Sequence, residues 1–415
     1  MYLFLYNIFL LFFNAGVRIA ALKNGKAKKW LQGRKNIFRQ LQEQIPIGEK
    51  IIWFHCASLG EFEQGRPVIE KTKAIYPNYK ILVTFFSPSG YEVRKNYEGA
   101  DYIFYLPADS PANAKRFLDI VHPSLVVFVK YEFWYYYFKN IRQRNIPFLL
   151  ISSAFRNYQP FFKWYGLLYR KMLACFSHIF VQDRQSLELL QTIGITKEVS
   201  IAGDTRFDRV VEIAGKFEPI PTIENFCADH KVIVAGSTWP DDEKMLQEIN
   251  DPSIKLVIAP HEINKDHLDE IKKNFPSSIF YSELKGASLI NHHSSLIIDS
   301  IGLLSRLYKY ADITYVGGGF TRDGIHNILE AAVYSKPVLF GPNYKKYREA
   351  AELIDNEGAI SFSTEDELKK TVQRLLTDNN EYNNICNSAG QYVKQNAGAT
   401  TTILNYIQEK RLLTN

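Results

Sequence analysis

Beyond residue 50 the chain alternates short, largely apolar runs with amphipathic stretches. In the first half the runs are IIWFHCA (51–57), KILVTFF (80–86), DYIFYL (101–106), SLVVFV (124–129), PFLLIS (147–152), HIFVQ (178–182) and VSIAG (199–203). The second half carries KVIVAG (231–236), KLVIAP (255–260), SSIFYS (277–282), SLIID (295–299), DITYVGG (312–318) and PVLFG (337–341). Apolar runs of this length bounded by turn residues predict strands buried on both faces, and the stretches between them, such as 183–194 and 241–250, predict helices. That alternation belongs to parallel sheets covered by helices. Thirteen strands exceed one doubly wound sheet of ordinary size. The runs divide around residues 212–230, which hold Gly215, Pro219 and Pro221 and no strand pattern. The expected fold is α/β: two Rossmann-like domains facing across a cleft, with ligands at the carboxyl ends of the strands.

The start of the chain reads differently. Residues 1–17 (MYLFLYNIFLLFFNAGV) carry no charge. At ~1.5 Å per residue they reach roughly 25 Å, and residues 19–22, with Arg18 snorkelling, bring the run to the length of a ~30 Å hydrocarbon core. The basic residues follow the apolar run, which argues against a cleaved signal peptide. Residues 1–42 hold eight Lys/Arg (Arg18, Lys23, Lys26, Lys28, Lys29, Arg34, Lys35, Arg39) and no acid. Such a cluster marks the cytoplasmic flank of a membrane segment and attracts anionic head groups. A buried core helix is the alternative. The organisation expected is a membrane anchor (1–22), a basic juxtamembrane segment (23–45), an N-terminal Rossmann-like domain (46–215), a linker (216–230) and a C-terminal Rossmann-like domain (231–415) whose last helices are candidates to pack back on the first.

Composition narrows the function classes. Of 415 residues 46% are hydrophobic and 23% charged, an ordinary globular balance. The net charge of +6 resides in the arm; the remainder holds 42 basic and 44 acidic groups. A nucleic-acid protein spreads basic charge over its folded body, so nucleic acid is not an expected partner. Cys56, Cys175, Cys227 and Cys386 are widely spaced, which fits reduced thiols. The nine histidines, with His292-His293 the adjacent pair, show no metal-ligand spacing. No metal or cofactor is expected.

Several residues stand where strands run out. Glu61 follows the first strand in Ser58-Leu59-Gly60-Glu61, on a strand-to-helix loop, and reads equally as a crevice carboxylate or a helix-capping acid. Glu132, among aromatics after strand 124–129, is either desolvated for function or paired with a basic neighbour. Tyr135–Tyr137 read as packing or an acyl-chain wall. In YVGGGFTRDGIHNILEAAVYSKPVLFGP (315–342) a strand enters Gly317-Gly318-Gly319, then a polar loop and a helix expected from near Ile325. Glycines permit close approach to a ligand, and a helix start offers amides to an anion. Asn327 and Glu330 share one face of that turn, within reach of one nucleotide. Arg322 stands where a dinucleotide fingerprint needs its third glycine. Gly236-Ser237-Thr238 and Pro260-His261 occupy matching loops. The alternative is a glycine turn plus a capped helix.

The set ASLGE, YEFW, GDTRFD, GST, APH, DSIGLL, GGGF, HNILEAA and KPVLFGP, in this order, resembles the 3-deoxy-D-manno-octulosonic acid (Kdo) transferases, membrane-associated glycosyltransferases of GT-B fold. The resemblance spans essentially the whole chain. It implies inverting transfer of Kdo from CMP-Kdo to a lipid A precursor in lipopolysaccharide core synthesis, at the cytoplasmic face of the inner membrane. It places the general base on Glu61, a supporting carboxylate on Glu132 and a basic partner on Arg206. Nucleotide contacts fall on Pro260, His261, Ile301, Gly302, Leu303, Asn327, Ile328, Leu329 and Glu330. Ser58, Gly60, Arg156, Ser237, Thr238, Gly318 and Gly319 are secondary contacts, with Arg156 and Lys130 candidates for acceptor phosphate. The chain departs from the family at Arg206, where Lys is frequent, at His261-Glu262-Ile263 and at Gly324-Ile325. A nucleotide-sugar 2-epimerase and a membrane-tethered nucleotide-binding module are the competing readings.

Overall fold

A computed structural model describes residues 2–249, 251–284 and 293–414. Two parallel seven-stranded sheets account for the expected strands. In chain order the strands are β1 (Ile51–Cys56), β2 (Lys80–Phe85), β3 (Tyr102–Tyr105), β4 (Pro123–Val129), β5 (Phe148–Ser153), β6 (His178–Val181), β7 (Val199–Ile201), β8 (Lys231–Thr238), β9 (Ile254–Pro260), β10 (Ser278–Phe280), β11 (Ser295–Ile297), β12 (Ile313–Val316), β13 (Val338–Phe340) and β14 (Ala359–Ser361). The last was not expected: Ala359-Ile360-Ser361 is too short and too exposed to leave an apolar run. The stretches 183–194 and 241–250 form the helices Arg184–Thr192 and Pro240–Gln247.

The chain divides into two compact units. The first comprises Met1–Arg209 and Gly398–Asn415, the second Val210–Ala397. The change of unit falls inside the helix Thr205–Gly215, ahead of the 216–230 segment read as a linker, which itself contains the helix Pro221–Cys227. The final helix, Ala399–Glu409, belongs to the first unit, where Asp208 accepts bonds from the Gly398 and Thr400 amides (2.5 and 2.6 Å).

In the first unit the strand order is β3-β2-β1-β4-β5-β6-β7. Chain direction across the sheet reverses between β1 and β4, whose register brings Cys56 opposite Val129 at the carboxyl ends. A reversal of this kind opens a crevice where ligands bind in open α/β sheets. Strand β1 turns Trp53 to one core and Phe54 and Cys56 to the other, so both faces are covered. In the second unit the order β10-β11-β9-β8-β12-β13-β14 puts the corresponding reversal between β8 and β12.

The N-terminal arm is helical throughout: α1 (Tyr2–Ala20), α2 (Gly25–Gln32) and α3 (Ile37–Gln44) precede β1. Among the described residues α1 is the one helix long and apolar enough to cross a membrane. The basic segment expected between anchor and domain is thus part of the first unit, with Trp30, Ile37 and Leu41 buried. Helices α4 (Leu59–Ile75), α5 (Pro88–Arg94), α6 (Pro111–Val121), α7 (Tyr135–Gln143) and α8 (Leu167–Leu173) follow in the same unit. His292 of the histidine pair lies outside the described residues.

Candidate active site

Glu61 does not sit on a loop. It occupies the first turn of α4, three residues after the N-cap Ser58, whose hydroxyl donates to its carboxylate. A carboxylate there is favoured by the unpaired amides of the helix start. Gly60 between them is exposed, with nothing in the way of a side chain but Ser58.

Glu132 follows β4 and is half-buried. Its carboxylate contacts Nε2 of His55, a fully buried residue on β1. His55 Nδ1 lies 2.8 Å from the Thr84 hydroxyl, which accepts the Trp53 indole N–H at 2.7 Å. An ionised carboxylate only accepts, so in the neutral ring Nε2 carries the hydrogen and Thr84 donates to Nδ1. Glu132 is therefore held through a chain of buried groups rather than floating among aromatics. Burial raises the Cys56 thiol pKa, and the negative charges of Glu61 and Glu132 add to that push. Both carboxylates thus act on the carboxyl end of β1.

A second cation near Glu132 had no sequence signal pointing to it. Arg34, read as part of the membrane-facing cluster, turns into the first unit. It donates to the carbonyls of Leu106 and Phe86 (both 2.8 Å) and lies 3.8 Å from the Trp30 ring centroid. Burial pulls its pKa down to about 9, and the Glu132 charge acts against that pull. Arg206 directs its guanidinium to Asp204 (2.7 and 2.9 Å). Arg156 donates to Asp183 at 3.2 Å and to the Phe155 carbonyl at 2.7 Å. Tyr136 and Tyr137 are buried in α7, the packing role expected of them.

Three non-glycine residues near strand ends adopt left-handed backbone: Lys130 (φ 65°), Ser152 (φ 53°) and Ser237 (φ 54°). At Ser152 and Ser237 the sheet register shifts, so the chain bulges where β5 and β8 run out. Such irregularities re-aim side chains and collect at functional rims. Sequence does not reveal them, because serine and lysine carry no preference for left-handed backbone.

In the second unit Ser237, Pro260, His261, Ile301 and Gly302 line one recess of about 160 Å³. Ser300, not singled out from sequence, joins them with a buried hydroxyl that has no hydrogen-bond partner. Leu303 caps the short helix beginning at Leu304. His261 stacks on both Trp239 (4.8 Å) and His326 (4.3 Å), and the Trp239 indole donates to His326 Nε2 at 3.1 Å. Burial, reinforced by His261, lowers the His326 pKa to about 4, which keeps Nε2 an acceptor.

The glycine stretch differs from expectation. A Cβ on Gly317 would meet the Ser237 carbonyl at 2.3 Å, on Gly318 the Gly324 carbonyl at 2.5 Å, and on Gly319 the Gly341 nitrogen at 2.5 Å. At each of these positions the protein's own backbone passes too close for a side chain. Buried Asp242 ties the turn down, accepting from the Gly318 amide and the Tyr315 hydroxyl (both 2.8 Å). The helix expected near Ile325 begins at Leu329 and lasts four residues, so Ile328 is its cap. Asn327 accepts from the Leu329 amide at 3.2 Å and donates to Glu330 at 3.0 Å. Asn327 and Glu330 are on one face, as expected, but joined to each other. Thr238 donates to Glu243 at 2.8 Å, behind the recess. Among the described residues no group of three His, Cys, Asp or Glu is placed to hold a metal ion.

Comparison with known proteins completes the picture. The family model for 3-deoxy-D-manno-octulosonic-acid transferase matches residues 28–209. A protein of Haemophilus influenzae named 3-deoxy-D-manno-octulosonic acid transferase is 25% identical over 409 residues, covering 94% of each chain. The protein of that name from Aquifex aeolicus is 28% identical over 352 residues, 81% of this chain and 89% of its own. Among solved structures, the UDP-GlcNAc 2-epimerase of Neisseria meningitidis bound to UDP-GlcNAc superposes with a TM-score of 0.60 at 17% identity, over 87% of this chain and 100% of that one. That likeness is one of fold, and the two seven-stranded sheets are of the GT-B type. The family match over residues 28–209, with relatives aligned along nearly the full length, shows the chain to be similar to the 3-deoxy-D-manno-octulosonic acid transferases over both of its units.

Proposed function

We propose that this chain transfers Kdo from CMP-Kdo to a lipid A precursor of the lipid IVA type during lipopolysaccharide synthesis, with inversion and without a metal ion. The observation that carries the reading is the placement of Glu61 and Glu132 just beyond the carboxyl ends of β1 and β4, the two strands flanking the reversal of the first sheet. A sugar hydroxyl is a poor nucleophile, and a carboxylate positioned to take its proton during bond formation lowers the barrier. Glu61 takes that role, its carboxylate oriented by Ser58 and stabilised by the start of α4. Glu132, fixed by His55, supplies negative charge for the positive character that develops at the anomeric carbon. Arg206, steadied by Asp204, is the matching cation. Lys130 and Arg156 are assigned to acceptor phosphate.

The cytidylate leaving group is assigned to the second unit. The recess at Pro260, His261, Ile301 and Gly302 takes the base, and Ser300 offers it a hydrogen bond. Asn327 and Glu330 are assigned to the ribose and phosphate. A CMP-linked donor has no pyrophosphate, so no divalent ion is needed to neutralise one; activity in EDTA tests this. The chain is placed at the inner membrane with its body in the cytoplasm, where the basic arm meets anionic lipid. Mass spectrometry of lipid A precursor incubated with CMP-Kdo and the protein is the direct test. One or more added Kdo masses are expected; none would favour a tethered nucleotide-binding module, and conversion of UDP-GlcNAc to its manno epimer would favour an epimerase.

A further inference from the structure

The two faces of α1 have different partners. Tyr6 and Leu10 are buried against the first unit, with Phe13, Asn14 and Val17 half-buried at the same helical spacing. The Tyr6 hydroxyl donates to Asp109 at 2.7 Å and accepts from the Tyr135 amide at 3.2 Å. Asp109, only 4% exposed, also accepts from the amides of Tyr136 and Tyr137 (3.1 and 3.3 Å). These amides open α7, which begins three residues after Glu132. Asn7 accepts from the Tyr136 hydroxyl at 2.6 Å. An aromatic path runs from Phe13 to Phe86 (6.0 Å) and on to Trp134 (5.0 Å).

The opposite face is bare and apolar, with Phe4 67%, Phe12 69% and Ile19 69% exposed. Helix α8 packs beside α1, and the segment entering it exposes Trp164 (87%) and Tyr165. The basic residues Arg18 at the end of α1, Lys23 in the turn after it, and Lys26, Lys28 and Lys29 on α2 are exposed. Apolar and aromatic side chains bordered by lysine and arginine fit the head-group region of an anionic leaflet. Crossing the bilayer would require α1 to leave the body, abandoning the bonds at Asp109 and carrying Asn7 and Asn14 into hydrocarbon.

We propose that α1 lies in the plane of a single anionic phospholipid leaflet, and that its inner face is a positioning element for the loop carrying Glu132. This rests on the transferase reading above. The membrane-binding face and the wall behind Glu132 are then two sides of one helix.

Depth measurements test the first half without any turnover. Nitroxide labels are placed singly at Phe4→Cys, Phe12→Cys and Ile19→Cys in full-length protein whose Cys175, Cys227 and Cys386 are serine, on vesicles containing phosphatidylglycerol. All three labels are expected at one shallow depth. A spanning helix would separate the first and last by about 22 Å at ~1.5 Å per residue, and that result would overturn the proposal. For the second half, Tyr6→Phe is expected to raise amide exchange at Tyr135 at least tenfold and to lower kcat several-fold, leaving the donor KM and vesicle co-sedimentation unchanged. The pair Phe4→Ser and Phe12→Ser should weaken co-sedimentation with activity on detergent-dispersed acceptor intact. Unchanged exchange at Tyr135 in Tyr6→Phe would remove the positioning role. Full activity in Glu132→Gln would instead refute the transferase reading at that residue, with the depth and exchange results still standing.

Discussion

The two sheets reverse direction in the same way but furnish the reversal differently. In the first unit the flanking strands end in ionisable groups, each held by another side chain: Glu61 by Ser58 and Glu132 by His55. In the second, the strands end in glycines packed on backbone, a cluster of stacked rings and a small recess. On the proposed reading, one rim moves a proton and steadies charge, and the other holds a planar group. A shared topology thus says where a ligand sits, while the side chains at the strand ends say what happens to it.

This contrast can be broken at either rim. Glu61→Gln should reduce transfer by about 10²- to 10⁴-fold, the usual worth of a general base, with CMP binding measured by calorimetry unchanged. Next in size, Gly319→Ala drives a methyl group into the Gly341 backbone, and overpacking of this kind costs about 1–3 kcal/mol. Hydrogen exchange should register that loss in the second unit and leave β1–β7 protected. Removing the imidazole that stacks on both Trp239 and His326 with His261→Ala should weaken CMP by up to about tenfold, the worth of ~0.5–1.5 kcal/mol for a ring contact, with kcat nearly unchanged. Acid stability supplies a further test. His326 binds its proton near pH 4 when folded and near 6.5 when unfolded, so between those values the unfolded chain holds more protons and stability falls as pH is lowered. Chemical denaturation at pH 7 and pH 5 should show a smaller drop for His326→Gln than for the parent.

Legibility from sequence followed the same divide. Strands buried on both faces announce themselves as apolar runs, so β1 and β4, and with them the positions of Glu61 and Glu132, could be read directly. His55 was hidden by that same signal, since a buried polar residue inside an apolar run looks like a strand position until its partner is known. Arg34 was misassigned because a basic residue beside an apolar segment satisfies the rule for lipid head groups equally well. Asp109 lies in a Pro-Ala-Asp-Ser-Pro turn and gains meaning only when α1 and α7 arrive from distant parts of the chain. The glycines after β12 are visible in sequence as conformational freedom, but the backbone atoms of Ser237, Gly324 and Gly341 that crowd them are not.

The return of Ala399–Glu409 to the first unit bears on how the protein is made. Ile403, Leu404 and Ile407 fill the core that Ile52, Phe54 and Val68 begin, and Asp208 waits for amides 190 and 192 positions downstream. During synthesis the second unit emerges whole, whereas the first, started earlier, stays open along one side until residues 399–409 have been made. A nascent chain stalled before residue 399 would therefore leave greasy surface uncovered in its oldest part.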